Sequence, residues 1–269
     1  MSGTKKKPPH GAGAAPLAGA PAKRPAKSAP PGSTRGRGGK NGQSAAGQEE
    51  KTARMTAIVA RLKERYPVAL CSLDYGGDPW RLLVMGMLSA QCTDARVNLA
   101  CRDLFAHFPT AAALAAADTA AVEADIRPCG LYRTKAKNII AASRLLCGEY
   151  GGVLPDRMED LLRFPGVGRK VANLLLGDIY HKPGVVTDTH CIRLCGRFGM
   201  YPEEETNPLR VERILTPLIA PEETADFCHR LVLFGREVCT ARTPQCGACP
   251  LSDLCRHGSR QKGEDAWKN

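Results

Sequence analysis

The sequence holds no apolar run approaching the roughly 18 residues that a membrane-spanning helix needs. Its first residues also lack the apolar stretch of a secretory signal. Both absences point to a soluble, intracellular protein. Sustained two-residue alternation is missing as well, so nothing reads as a half-buried strand, and the periodicity is helical throughout. An all-α fold is expected, with at most a turn or small hairpin near residues 150–155. Acidic residues are absent from residues 1–48, which hold nine Lys and Arg and so carry +9 of the formal charge of +11. The rest of the chain is nearly balanced, so overall basicity is a weak argument for a nucleic-acid site. Residues 1–50 have no aromatic and almost no large aliphatic side chain, too little apolar surface to offset the entropy of ordering, and they read as a disordered basic tail.

A disulfide framework is not evident either, although there are 12 cysteines. Several, including Cys71, Cys101, Cys147 and Cys195, fall inside apolar helical patterns, where a thiol packs as a small hydrophobe. Four others gather at the C-terminal end as Cys239-x6-Cys246-x2-Cys249-x5-Cys255. Four close thiolates can hold either one zinc ion or an iron–sulfur cubane. The single close pair, where structural zinc sites usually show two, leaves both open.

What the chain does contain is a helix-hairpin-helix. Residues Pro155–Arg163 read as a short helix, with Asp156 as N-cap and Glu159 completing a capping box. Pro165 stops it, Gly166 and Gly168 let the chain reverse, and Lys170–Tyr180 reads as a second, buried helix. The N–H groups of Val167, Gly168 and Arg169 then face outward at a helix start, where the macrodipole favours an anion such as a DNA phosphate. Lys170 is misplaced there as a cation, which favours its neutral, nucleophilic form. A solvated phosphate contact is the plainer reading of the same lysine.

Elsewhere, Thr52–Tyr66 is expected to turn Met55, Ile58, Val59 and Leu62 inward and Arg54, Lys63 and Arg65 outward. Trp80–Ala90 is apolar nearly all round and therefore buried, and it leads into the polar Ser89–Asp94 loop. Helices are expected over Asn98–Phe108 and the alanine-rich Thr110–Ile126. After a turn at Cys129–Arg133, the next helix should expose Lys135 and Lys137 on its first turn. Three more follow at Thr189–Phe198, Asn207–Leu218 and Glu222–Phe234, the first capped by Asp188.

Phe164–Lys170, Thr187-Asp188-Thr189-His190 and the cysteine spacing together resemble endonuclease III, a DNA glycosylase/AP lyase of the helix-hairpin-helix superfamily. Ser89-Ala90-Gln91-Cys92-Thr93-Asp94 and Gly130-Leu131-Tyr132 resemble that family's DNA-penetrating loops. The likeness runs from about Lys51 to Cys255 with motif order kept. It implies a six-helix barrel over residues 72–182 and a second domain from 51–71 plus 183–255, with 256–269 as a tail. It also implies a [4Fe-4S] cluster on Cys239, Cys246, Cys249 and Cys255, Lys170 as nucleophile, and Asp188 as the carboxylate beside it. Gln91 and Leu131 would fill the space left by an extruded nucleotide, and Gly166, Val167, Gly168 and Arg169 would hold the backbone.

The implied function is base-excision repair by a monomer acting on duplex DNA that carries damaged pyrimidines or abasic sites. The setting would be the bacterial cytoplasm at the nucleoid, or a eukaryotic nucleus or mitochondrion. Thr187, where the family usually has valine, and Cys92, where it has a small residue, depart from the pattern near the lesion and bear on lesion preference. His190 reads as an orienting or packed residue rather than a catalyst. Three rivals compete: an adenine-removing mismatch glycosylase, a non-catalytic DNA-binding module and a redox carrier. Leu82–Gln91 holds no carboxylate for the first, the Lys170/Asp188 pair argues against the second, and the third leaves the hairpin unexplained.

Overall fold

The computed structural model of the protein describes residues 45–261 and 263, and no strand occurs among them. Residues 1–44 of the tail expected over 1–50, and positions 262 and 264–269, lie outside the described residues. Helix α1 (Ala45–Arg65) begins inside the stretch read as tail, and α12 (Arg256–Gln261) lies in the segment read as a C-terminal tail. Helix α1 buries Met55, Ile58, Val59 and Leu62 as expected. Arg54, expected outside, is buried instead, and its guanidinium donates to the Gly199 carbonyl at 3.3 Å.

Two apolar cores organise the described chain. The first is centred on α2 (Pro79–Leu88), whose Trp80 and every residue from Leu82 to Leu88 are buried. Asp78 starts this helix by accepting from the Trp80 and Arg81 amides, with Pro79 in the first turn, where its missing N–H is not needed. The indole of Trp80 donates to Ser143 Oγ on α6 (Tyr132–Glu149) at 3.1 Å, which pins the two central helices together. Helices α3 (Asp94–His107), α4 (Ala111–Ala115) and α5 (Thr119–Ile126) complete the wall. The alanine-rich segment is thus two helices rather than one. Asp118 breaks it by accepting from the Ala120 and Ala121 amides, an N-cap that competes with helix continuation.

Two local expectations fail at the hairpin's first helix. Helix α7 is only Met158–Leu161, and its N-cap is Arg157, with no side-chain bond. Asp156 caps nothing, because its carboxylate and carbonyl both bind the Lys182 ammonium. At residues 150–155 the chain makes a turn through Gly151 and Gly152, and no hairpin.

The second core gathers α1 with α9 (Thr189–Arg197), α10 (Pro208–Leu215) and α11 (Thr224–Glu237) around Phe198, Phe227 and Phe234. Arg230, 1% exposed, is satisfied within it by Glu223, Asp226 and the Tyr66 carbonyl. Helix α8 (Arg169–Tyr180) is the seam between the cores. A Cβ on Gly86 of α2 would lie 3.1 Å from Val171, and one on Gly177 would lie 3.0 Å from Ala225 of α11. Small residues therefore let α8 touch both sides closely. His229 of α11 and Asp178 of α8, both nearly buried, add a 2.7 Å hydrogen bond between Nε2 and Oδ1 across the same seam. The packing thereby fixes where the start of α8 points.

Candidate active site and cysteine cluster

The turn before α8 is held by Phe164 and Val167. Phe164 is buried and stacked on Tyr150 with ring centroids 5.3 Å apart. Val167 is also buried, and its amide donates to the Phe164 carbonyl at 3.0 Å. Val167 thus plugs the turn and offers no free N–H, contrary to expectation. The Gly168 and Arg169 amides have no backbone acceptor among the described residues. Gly166 has φ +81°, which a side chain rarely adopts, and a Cβ there would lie 2.8 Å from Asn138. Gly168 has ordinary φ −103° and nothing within 4 Å of a built Cβ. Its contribution is room for a close approach, not freedom to turn.

Arg169 is not a free cation. Its Nε donates to Glu212 Oε2 at 2.9 Å and its Nη2 to Oε1, a two-point grip on α10 that Asn173 Nδ2 joins at 3.2 Å. Burial pushes the Glu212 carboxyl up, but hydrogen bonds from Arg169 and Asn173 outweigh it and hold the pKa below the usual range. Asn173 also donates to the Val185 carbonyl at 3.0 Å, so this network ties the hairpin to the strand-like run that leads to Asp188. Sequence reasoning missed both partners. Asn173 did leave a signal, as a polar side chain on the buried stripe of α8.

Lys170 is exposed, and it makes no hydrogen bond or ion pair among the described residues. Asp188 is half-buried and caps α9, with Oδ1 accepting the Cys191 amide at 2.7 Å. Lys170 and Asp188 line one cavity of about 70 Å³, together with Ser89, Asp94, Val186 and His229. A larger cavity of about 580 Å³ shares Cys71–Leu73 and His229 with it, but neither Lys170 nor Asp188 lines that one. The Lys170 amine and the Asp188 carboxylate both line the smaller one.

Thr187 is 6% exposed, and no hydrogen bond links its hydroxyl to Asp188 among the described residues. His190 is packed, as expected. Burial lowers its pKa, and a Cβ on Gly235 would meet its Nδ1 at 2.3 Å.

Gln91 and Leu131 share a rare feature. Both have left-handed backbones, φ 53° and 47°, and both are exposed, Leu131 at 63%. A non-glycine residue held there is strained, and an exposed leucine is not in a core. Cys92 is half-buried against the Cys129 thiol. Lys135 is not on an exposed first turn at all: it is 7% exposed, with its amine bound to three carbonyls.

All four clustered cysteines line a single cavity roofed by Phe198 and Phe234. Buried Arg197 donates to Cys239 Sγ at 3.2 Å and to the Thr240 and Ala241 carbonyls at 2.8 Å each. The Gly258 amide approaches Cys255 Sγ at 3.5 Å. Donors aimed at sulfur suit thiolates. Among the described residues no three His, Cys, Asp or Glu side chains converge on one ion. The thiols instead ring a cavity, the layout a cubane takes with one thiolate for each iron. These residues fit a [4Fe-4S] cluster.

Residues 84–221 match the HhH-GPD superfamily of base excision DNA repair proteins, and residues 239–255 match the iron–sulfur binding domain of endonuclease III. The chain is 46% identical to endonuclease III of Synechocystis sp. over 206 residues, 76% of this chain and 93% of that protein. It is 37% identical to endonuclease III of Escherichia coli K12 over 205 residues, 76% of this chain and 96% of that protein. A solved non-covalent endonuclease III–DNA complex is 36% identical with TM-score 0.74, covering 79% of this chain and 98% of that one. With both motif regions matched and most of each relative's length covered, the chain belongs to the endonuclease III family of base-excision DNA repair enzymes and carries that family's [4Fe-4S] cluster site.

Proposed function

We propose that this glycosylase/AP lyase removes oxidised or ring-saturated pyrimidines from duplex DNA through a Schiff base on Lys170, acting as a monomer, and then cuts the strand by β-elimination. One observation carries the reading: an exposed amine with no partner among the described residues shares a small cavity with a half-buried carboxylate, Asp188. A 36% identical relative solved as a trapped endonuclease III–DNA covalent intermediate supports a covalent route.

A damaged base must leave the stack before it can be reached, and weakened pairing makes that extrusion cheaper. The Lys170 amine attacks the sugar C1′ through its nitrogen lone pair, and the base departs with the glycosidic electron pair. Ring opening then leaves an iminium between Lys170 Nζ and C1′. The iminium acidifies the C2′ proton. Its loss expels the 3′ phosphate, and hydrolysis of the imine returns the free amine. Asp188 stabilises the cationic sugar or assists proton transfer. Its cap bond to the Cys191 amide occupies Oδ1 and holds the carboxylate in place at the head of α9. Gly168 and Arg169 present amides to a phosphate, and Gln91 and Leu131 enter the duplex.

Cys239, Cys246, Cys249 and Cys255 would hold the cluster. Its contribution here is to fix the segment that packs on α9 and α1, and no chemical step runs through it. The first core is read as the helical barrel and the second as the cluster domain, with the active site on the α8 seam between them.

The test is product analysis on an end-labelled duplex containing thymine glycol. The expected result is free base together with a cut strand bearing a 3′ unsaturated aldehyde and a 5′ phosphate. Base release without cleavage, at rates well above those of later strand loss, would contradict the lyase half of the reading. No release from any oxidised pyrimidine would contradict the substrate class.

A further inference from the structure

Lys135 is a buried cation without a carboxylate partner among the described residues. Its ammonium donates to the carbonyls of Leu88 at 2.9 Å, Ala90 at 2.7 Å and Cys129 at 2.8 Å. An ammonium has three N–H donors, so the group is fully satisfied. The acceptors are the ends of two helical segments. Leu88 closes α2 and Ala90 lies just past it, while Cys129 closes the 3-10 turn Arg127–Cys129. Helix C-termini carry partial negative charge and unpaired carbonyls, so two such ends repel each other until a cation sits between them. Burial lowers the lysine's pKa, with Cys92 and Cys129 acting in the other direction.

The position of these acceptors gives the lysine a purpose. Ala90 directly precedes Gln91, and Cys129 stands two residues before Leu131. Lys135 itself lies one turn after Leu131, and its own amide donates to the Leu131 carbonyl at 3.1 Å. One residue is therefore joined through the backbone to the Leu131 loop and through its amine to the Gln91 loop. Both tips are exposed and strained. Their separation has to be set from below.

We infer that Lys135 is a positioning residue that fixes the spacing of the Gln91 and Leu131 loops, so that both enter the duplex together when the nucleotide is extruded. The inference rests on reading Gln91 and Leu131 as the residues that fill the duplex. Neither that role nor any contact with DNA belongs to Lys135 itself. A merely structural lysine would affect every substrate alike, whereas a loop strut matters only where a base stack must be held open.

The experiment compares cleavage rates on a duplex and on a single-stranded oligonucleotide, each with one abasic site, for the full-length protein with its cluster. Lys135→Met keeps the aliphatic stem and removes the donors. Its duplex-to-single-strand ratio is expected to fall on the order of 10²-fold, as for small misplacements of a positioning group. Lys135→Arg keeps the charge, but its planar fork cannot meet three converging carbonyls, and it should fall between Met and wild type. It also serves as the folded variant if Lys135→Met, with three carbonyls unpaired, does not fold. Gln91→Ala and Leu131→Ala are run alongside and should lower the same ratio. If these two lower it while folded Lys135 variants stay within about twofold of wild type, the strut is wrong. If Gln91→Ala and Leu131→Ala leave the ratio unchanged, the duplex-filling reading falls, and the strut with it.

Discussion

Lys170→Gln lowers strand cleavage at an oxidised pyrimidine on the order of 10⁴-fold or more, while thermal stability stays as it was. In activation terms that is about 5 kcal/mol. The loss is large because glutamine has no lone pair basic enough to attack C1′ and cannot form an imine. Stability is spared because the Lys170 side chain is exposed and makes no hydrogen bond or ion pair among the described residues. Such surface changes stay within about 0.5 kcal/mol. Removing a cation from the first turn of α8 should even relieve the helix by about 0.3 kcal/mol. Single-turnover cleavage together with a thermal melt reads both quantities. A phosphate-contact lysine behaves differently: its loss weakens DNA binding and reduces the salt dependence of affinity, but leaves single-turnover chemistry at saturating protein nearly unchanged.

Asp188→Asn lowers base excision by about 10²–10³-fold with no matching loss of stability. The choice of asparagine separates the cap that Asp188 forms from the catalytic role proposed for it. As an N-cap, asparagine is about as good as aspartate, so the bond to the Cys191 amide survives. As a carboxylate facing a cationic sugar, asparagine is useless. Asp188→Ala removes the cap too and should add about 1 kcal/mol of destabilisation to the same loss of activity. Excision by Asp188→Asn within about threefold of wild type would reduce Asp188 to a cap.

Much of this was legible in the chain itself, and the reasons differ by residue. The apolar run of α2, the Asp188 cap and the cysteine spacing are local, and local patterns report local structure. Two of the failures are long-range pairings. Asp156 had the spacing of a capping box, but Lys182, 26 residues on, takes its carboxylate. Arg169 had the look of a phosphate ligand, but Glu212, 43 residues on, holds its guanidinium. Nothing in a window of sequence announces such partners.

Lys135 is the instructive miss, because the signal was present. It falls on the same face as Ala136, Ile139, Ile140 and Ser143, the buried stripe of α6. Its charge argues for solvent and its place on that stripe for the core, and in the fold the stripe wins. A long side chain can lie along the core and carry its charge to a place where carbonyls wait for it. The strained backbones of Gln91 and Leu131, by contrast, had no sequence signal, since neither residue type favours φ above zero.

The most direct measurement is borohydride reduction during turnover on a thymine glycol duplex, followed by peptide mapping of the trapped protein. The account predicts a covalent protein–DNA adduct in wild type, carried by the peptide that contains Lys170, and none in Lys170→Gln. An adduct that maps to another amine, or that persists undiminished in Lys170→Gln, would contradict it.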